Sequence, residues 1–247
     1  MKRLNKIVFS RFTHLLLLLF PLFFYSCTRH YTVLNKGVAG NNTYDLLKRL
    51  EPDVLSVKPD LVILMAGTND MVNSHKLVSY TDFTSNFQKL IRALQAQGIR
   101  VVVMSPPPVD TGYVFQRHDR QLFPQEPNVK IDSLNKIVQQ LATAHQLHFI
   151  DINQLFKRQG EPHRGAHSLI VNASNLGKED GIHPTREGYQ YMAAAIYRHL
   201  KQYGLLKKTK TLVCFGDSMT YGAFMQGAGT ATGETYPAFL HQMLHKK

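Results

Sequence analysis

The chain has 247 residues, 44% hydrophobic and 19% charged, which is enough apolar mass for one large domain or two small ones and excludes overall disorder. Its formal charge of +12 raises nucleic acid or an anionic membrane as partners, yet four of those charges (Lys2, Arg3, Lys6 and Arg11) crowd the first eleven residues. Without them the charge is +8, scattered and with no basic helix or aromatic-interleaved stripe, so it reads as solvated surface charge and no nucleic-acid partner is expected.

Taken in chain order, the basic start leads into an apolar run, Leu15 to Phe24, broken by Pro21. The run has the length of a signal-peptide core and falls short of the ~20 residues of a membrane span. It ends at Ser26-Cys27. A small residue directly before cysteine resembles a bacterial lipoprotein signal, in which the cysteine is lipidated and becomes the new N-terminus. Phe24 and Tyr25 depart from the usual leucine and small residue of that signal. Residues 1–27 are therefore expected to be an export signal and 28–247 a folded domain. Membrane contact is expected through lipidated Cys27, in a cell-envelope lipoprotein, with plain secretion or an uncleaved anchor as alternatives. The other cysteine, Cys214, sits in an apolar run and reads as a buried thiol, although a pairing with Cys27 stays open in an oxidising compartment.

Five strand-like runs follow: Tyr31 to Leu34, Asp60 to Met65, Arg100 to Met104, His148 to Ile152, and Thr211 to Phe215. Helical periodicity fills the gaps over Tyr44 to Leu55, Thr81 to Gln97, Val129 to His145 and Thr185 to Tyr203, and a last helix covers Tyr236 to His245. Strand and helix in alternation predict an α/β fold with a parallel sheet. Asp82 and Thr185 are expected as N-caps, Gly98 and Gly204 as stops. Pro106-Pro107-Pro108 ends the third strand, and the polar, aromatic-dotted stretch to Asn128 reads as a long surface loop. With Tyr113, Phe115, His118 and Phe123 it either borders a ligand site or is a disordered insertion. The run from Gly227 to Gly233 reads as a flexible connector, since it lacks the Gly-Lys-Ser/Thr ending of a phosphate loop.

Four segments at strand ends carry candidate chemistry. Phe215-Gly216-Asp217-Ser218 runs an apolar strand into a turn that places a hydroxyl outside the sheet's carboxyl edge. Asp180-Gly181-Ile182-His183 sets a carboxylate three residues before an imidazole, which suits a base and the group that holds its tautomer. Asn69, in Gly67-Thr68-Asn69-Asp70, can aim an amide donor at a developing oxyanion, and the Gly40 N–H can supply another. Each segment alone is equally compatible with turn or capping chemistry. His163 and His167 share a helix-like spacing, but Pro162 and Gly165 argue for a loop and against a metal face, so no metal site is expected.

Together the four segments resemble the blocks of the SGNH (GDSL-type) hydrolase family, a likeness covering Tyr31 to Lys247. The resemblance implies a three-layer α/β/α sandwich with a flavodoxin-like, five-stranded parallel sheet. It also implies a serine ester hydrolase with nucleophile Ser218, base His183 and orienting Asp180. Its oxyanion hole would comprise the Ser218 and Gly40 N–H groups and the Asn69 side chain, with no cofactor. One departure is large: the family runs serine, glycine, asparagine, Asp-x-x-His, whereas here the serine block comes last. Cyclic order is preserved, as in a circular permutation, so Thr211 to Phe215 should insert centrally, between Tyr31–Leu34 and Asp60–Met65. The expected substrate is a small-molecule or glycan ester, with a carbohydrate O-acetyl ester favoured. Lysophospholipase or thioesterase activity is an alternative, as is a non-catalytic surface binding protein on the same scaffold.

Overall fold

The computed structural model describes residues 30–246, so the apolar run and Cys27, with the export and lipidation expected of them, lie outside the described residues. Five strands form one parallel sheet: β1 (Thr32–Gly37), β2 (Leu61–Met65), β3 (Arg100–Met104), β4 (His148–Ile150) and β5 (Thr211–Gly216). Their order is β1-β5-β2-β3-β4, so the last strand in sequence lies between the first two, as expected. Every residue of β2 is buried, and its unbroken Leu-Val-Ile-Leu-Met run is what a parallel strand covered on both faces requires.

Ten α-helical segments accompany the strands among the described residues. They are α1 (Thr43–Asp53), α2 (Thr68–Val72), α3 (Tyr80–Ala96), α4 (Thr111–Arg117), α5 (Pro127–Ala144), α6 (Ile152–Lys157), α7 (Ala173–Leu176), α8 (Arg186–Gln202), α9 (Ser218–Tyr221) and α10 (Tyr236–His245). Handedness sorts them into layers. The steps β1 to β2, β2 to β3 and β3 to β4 all advance in one direction across the sheet, so right-handed crossovers put α1, α3 and α5 on one face. The step from β4 back to β5 runs the other way and puts α8 on the opposite face, where α10 packs against it and against β1.

Local chemistry explains the boundaries. Phe83, Phe87, Leu90, Ile91 and Leu94 make the buried stripe of α3 at helical spacing. Thr185 caps α8 by accepting from the Gly188 N–H, and Gly98 and Gly204 follow α3 and α8 in the left-handed region, all as expected. Ser79, not Asp82, caps α3. Asp82 sits three residues on, where its N–H donates to the Ser79 hydroxyl and its carboxylate accepts from that hydroxyl. β1 runs past Leu34 to Gly37, because Asn35 to Gly37 stay in register with Cys214 to Gly216. β4 stops at Ile150, because Asp151 turns the chain into α6 by capping it.

Two larger expectations need correction. The stretch after Pro108 is not a loop throughout: Asp110 caps α4 through the Tyr113 N–H, and Val109, Tyr113, Val114 and Phe123 are buried. The Gly227–Gly233 run is folded on itself rather than a loose connector. Its turns are closed by Thr230 N–H to Gly227 O and Glu234 N–H to Gln226 O, and Gly229 donates to Tyr221 O. Cys214 is buried and its thiol is free among the described residues, while a pairing with Cys27 lies outside them; His163 and His167 lie in loop.

Candidate active site

Three of the site's contributors leave neighbouring strands at their carboxyl ends. β5 ends at Gly216, Asp217 turns the chain, and Ser218 opens α9. The Asp217 carboxylate accepts from the Met219 N–H and fixes that turn. As the first residue of a helix, Ser218 has a backbone N–H with no intrahelical acceptor. On one side β1 leads to Gly40, which takes φ +76°, a conformation that favours glycine. On the other, β2 leads to Asn69 in α2. Gly37 allows the close approach, since a Cβ there would stand 2.0 Å from the Tyr221 nitrogen.

The fourth contributor comes from the segment before α8. His183 Nε2 lies 2.9 Å from Ser218 Oγ, and His183 Nδ1 lies 3.0 and 3.1 Å from the Asp180 carboxylate oxygens. One Asp180 oxygen also accepts from the N–H groups of Ile182 and His183. Burial opposes ionisation of Asp180, but the His183 contacts and these backbone donors outweigh it and hold its carboxyl below the usual range. Ser218, His183 and Asp180 therefore form a chain of contacts at hydrogen-bond distance, the geometry that a nucleophile, its base and an orienting carboxylate need.

Gly40, Asn69, Ser218, Asp180 and His183 all line one cleft of about 500 Å³. The amide orientation of Asn69 is fixed, because Asn73 Nδ2 donates to its Oδ1 while its own Nδ2 donates to Asn41 O. One Nδ2 hydrogen is left over, and the Gly40 N–H makes no protein hydrogen bond among the described residues. A buried link ties these two walls together: the Thr43 N–H and hydroxyl both donate to the Asp70 carboxylate. The site thus gathers a hydroxyl, an oriented imidazole and uncommitted N–H donors around one space, the parts an acyl transfer needs.

Sequence reasoning missed several residues around this cleft. Arg49 donates to Lys36 O and Gly216 O and stacks over Phe215, pinning the ends of β1 and β5. Phe224, 48% exposed and at φ +69°, stands edge-to-face with His183 under the Lys178 ammonium. A non-glycine residue in that conformation was the only signal, and it is invisible in sequence. Of the aromatic stretch expected to border a ligand site, His118 does line the cleft with Arg117. Phe115 and Phe123 instead pack on one another.

The chain is similar to several known proteins. The model of the GDSL-like lipase/acylhydrolase family matches residues 24–191, ending before β5 and Ser218. An acetylxylan esterase of Geobacillus stearothermophilus is 24% identical over 176 residues, 68% of this chain and 71% of that protein. The uncharacterized lipoprotein YqeF of Bacillus subtilis is 32% identical over 83 residues, about a third of each chain. The crystal structure of a lipase/acylhydrolase from Enterococcus faecalis superposes with a TM-score of 0.52 at 27% identity, covering 66% of this chain and 72% of that one.

Proposed function

We propose a serine mechanism for this chain, which belongs to the GDSL-like lipase/acylhydrolase family and is a carboxylic ester hydrolase. The observation that carries the reading is the 2.9 Å approach of His183 Nε2 to Ser218 Oγ across 35 residues of sequence. Ser218 Oγ attacks the ester carbonyl while His183 takes its proton. The tetrahedral oxyanion is held by the N–H groups of Ser218 and Gly40 and the free Nδ2 hydrogen of Asn69. Collapse expels the alcohol, which receives the proton from His183. Water then repeats the sequence on the acyl-enzyme and releases the acid. Asp180 keeps the imidazole in the tautomer that presents a lone pair to Ser218.

The domain is read as a circularly permuted version of the family fold. Supporting this, the sheet order becomes the flavodoxin-like 2-1-3-4-5 when β5 is counted first. The two ends of the described chain also meet: the Tyr31 N–H donates to His245 Nε2 at 3.3 Å, and His30 rests against the same ring.

The favoured substrate is a carbohydrate O-acetyl ester, on the strength of the acetylxylan esterase relative. Export as a lipoprotein is proposed for residues 1–27, with the YqeF likeness in support. The two readings reinforce one another. All strands run parallel and β1 begins just beyond Cys27, so a lipid there would hold the amino edge of the sheet to the bilayer. Ser218 lies at the carboxyl edge, a strand length of about 20 Å away at ~3.3 Å per residue. A cleft facing away from the bilayer suits a glycan better than a lysophospholipid. Acetylated xylo-oligosaccharides should release acetate through Ser218 while vesicle-borne lysophospholipid stays intact; the opposite preference would reject the glycan assignment.

A further inference from the structure

The segment that carries Asp180 and His183 belongs to no helix or strand, yet both side chains must hold their geometry closely for proton transfer. Two braces hold it. On one side an antiparallel bridge pairs Ile170 with Pro184, with the Gly181 N–H donating to Val171 O and the Val171 N–H to His183 O, both at 2.8 Å. On the other side stands α4. The Asp110 N–H donates to Gly181 O at 2.7 Å, and the Asp110 carboxylate is itself gripped by both Nε and Nη2 of Arg164. At the far end of α4, Arg117 donates through Nη1 to Glu179 O at 2.7 Å and through Nη2 to Asp180 O at 2.5 Å. Its Nη1 also lies 3.6 Å from Asp180 Oδ1.

We propose that Arg117 is a positioning residue for the hydrolysis proposed above, acting through Asp180. Its guanidinium locks two successive carbonyls and places a positive charge beside the Asp180 carboxylate. That carboxylate can then hold His183 Nδ1 while Nε2 faces Ser218. The planar fork is what the task needs, since it reaches both carbonyls at once and a lysine ammonium presents no such fork. Arg117 borders the cleft, and each of its terminal nitrogens gives one hydrogen to a carbonyl of the His183 segment, so its proposed effect is on the chemical step, which a split between kcat and KM separates from substrate binding.

The test uses the full chain with p-nitrophenyl acetate, comparing wild type, Arg117→Ala and Arg117→Lys. Arg117→Ala should lower kcat on the order of 10- to 100-fold, the scale of a misplaced catalytic group, with KM within about twofold of wild type. Millimolar guanidinium should restore part of the Arg117→Ala rate and leave wild type unchanged. Arg117→Lys should keep a kcat deficit of about fivefold or more, because the charge returns without the fork. An unchanged kcat in Arg117→Ala, or a raised KM with kcat intact, would overturn the proposal. If Arg117→Ala fails to fold, a wild-type kcat in Arg117→Lys would do so. Absence of Ser218-dependent turnover in the wild type would instead strike the serine mechanism itself, a separate failure.

Discussion

Asp217, immediately before Ser218, is a buried carboxyl with one oxygen bonded to the Met219 N–H and the other without a partner among the described residues. Burial outweighs that hydrogen bond and pushes it up to about 7, while the unfolded value stays near 3.8. Between those values the folded state holds the extra proton, so stability falls as pH rises through the window and the loss is complete above the folded value. Asp217→Asn keeps the acceptor for Met219 and removes the ionisation. Its melting temperature should match wild type near pH 4 and exceed it by several degrees at pH 8, at roughly 2–4 °C per kcal/mol. An equal difference at both pH values would show that Asp217 does not change ionisation on unfolding. For the oxyanion hole, Asn69→Ala should cost roughly 10²–10³ in kcat, and an effect confined to KM would assign Asn69 to binding instead. Ser218, Asn69 and Gly40 could be singled out because each follows a strand, and Asp180 and His183 because a carboxylate three residues before an imidazole is a recognisable pattern; the fold brings all five to one cleft. Arg49, Arg117 and Phe224 were not, because their partners lie on other elements and only the fold brings them near.

At the scale of elements, strands read well and short helices poorly. A covered parallel strand such as β2 is an unbroken apolar run, and α3 repeats its stripe over 17 residues. The seven residues of α4 complete barely two turns, behind three prolines and with Gly112 inside, so no periodicity could emerge. What makes α4 a helix is the Asp110 cap and the burial of Tyr113 and Val114. β5 is the element on which the sheet depends most. Among the described residues it is the sole strand neighbour of the β1 edge and supplies one of the two neighbours of β2. A chain ending at Lys208 should therefore fail to fold, seen as loss of soluble yield and of native far-UV circular dichroism. Recovery of a soluble, native-like 1–208 chain would mean that the remaining strands form a sheet without it.

For the molecule as a whole, the permuted reading proposed above rests on the strand order and on the meeting of His30 and Tyr31 with His245. Moving residues 209–247 ahead of Tyr31 should thus give a chain that folds and hydrolyses esters at least as well; an insoluble or inactive product would count against the permuted reading. The central place of β5 between β1 and β2 was legible in the cyclic order of the blocks. The contact between the chain ends was not, because it depends on how α10 returns along β1. In the proposed mechanism Ser218, near the C-terminus, works with His183 from the segment before α8 as one nucleophile. Covalent capture reads this out: the chain is treated with a fluorophosphonate and the labelled peptide is mapped by mass spectrometry. A single adduct on Ser218 is expected at one per chain, formed as esterase activity disappears and far more slowly in His183→Ala. Esterase activity lost with the adduct elsewhere, or retained with Ser218 fully labelled, would contradict it.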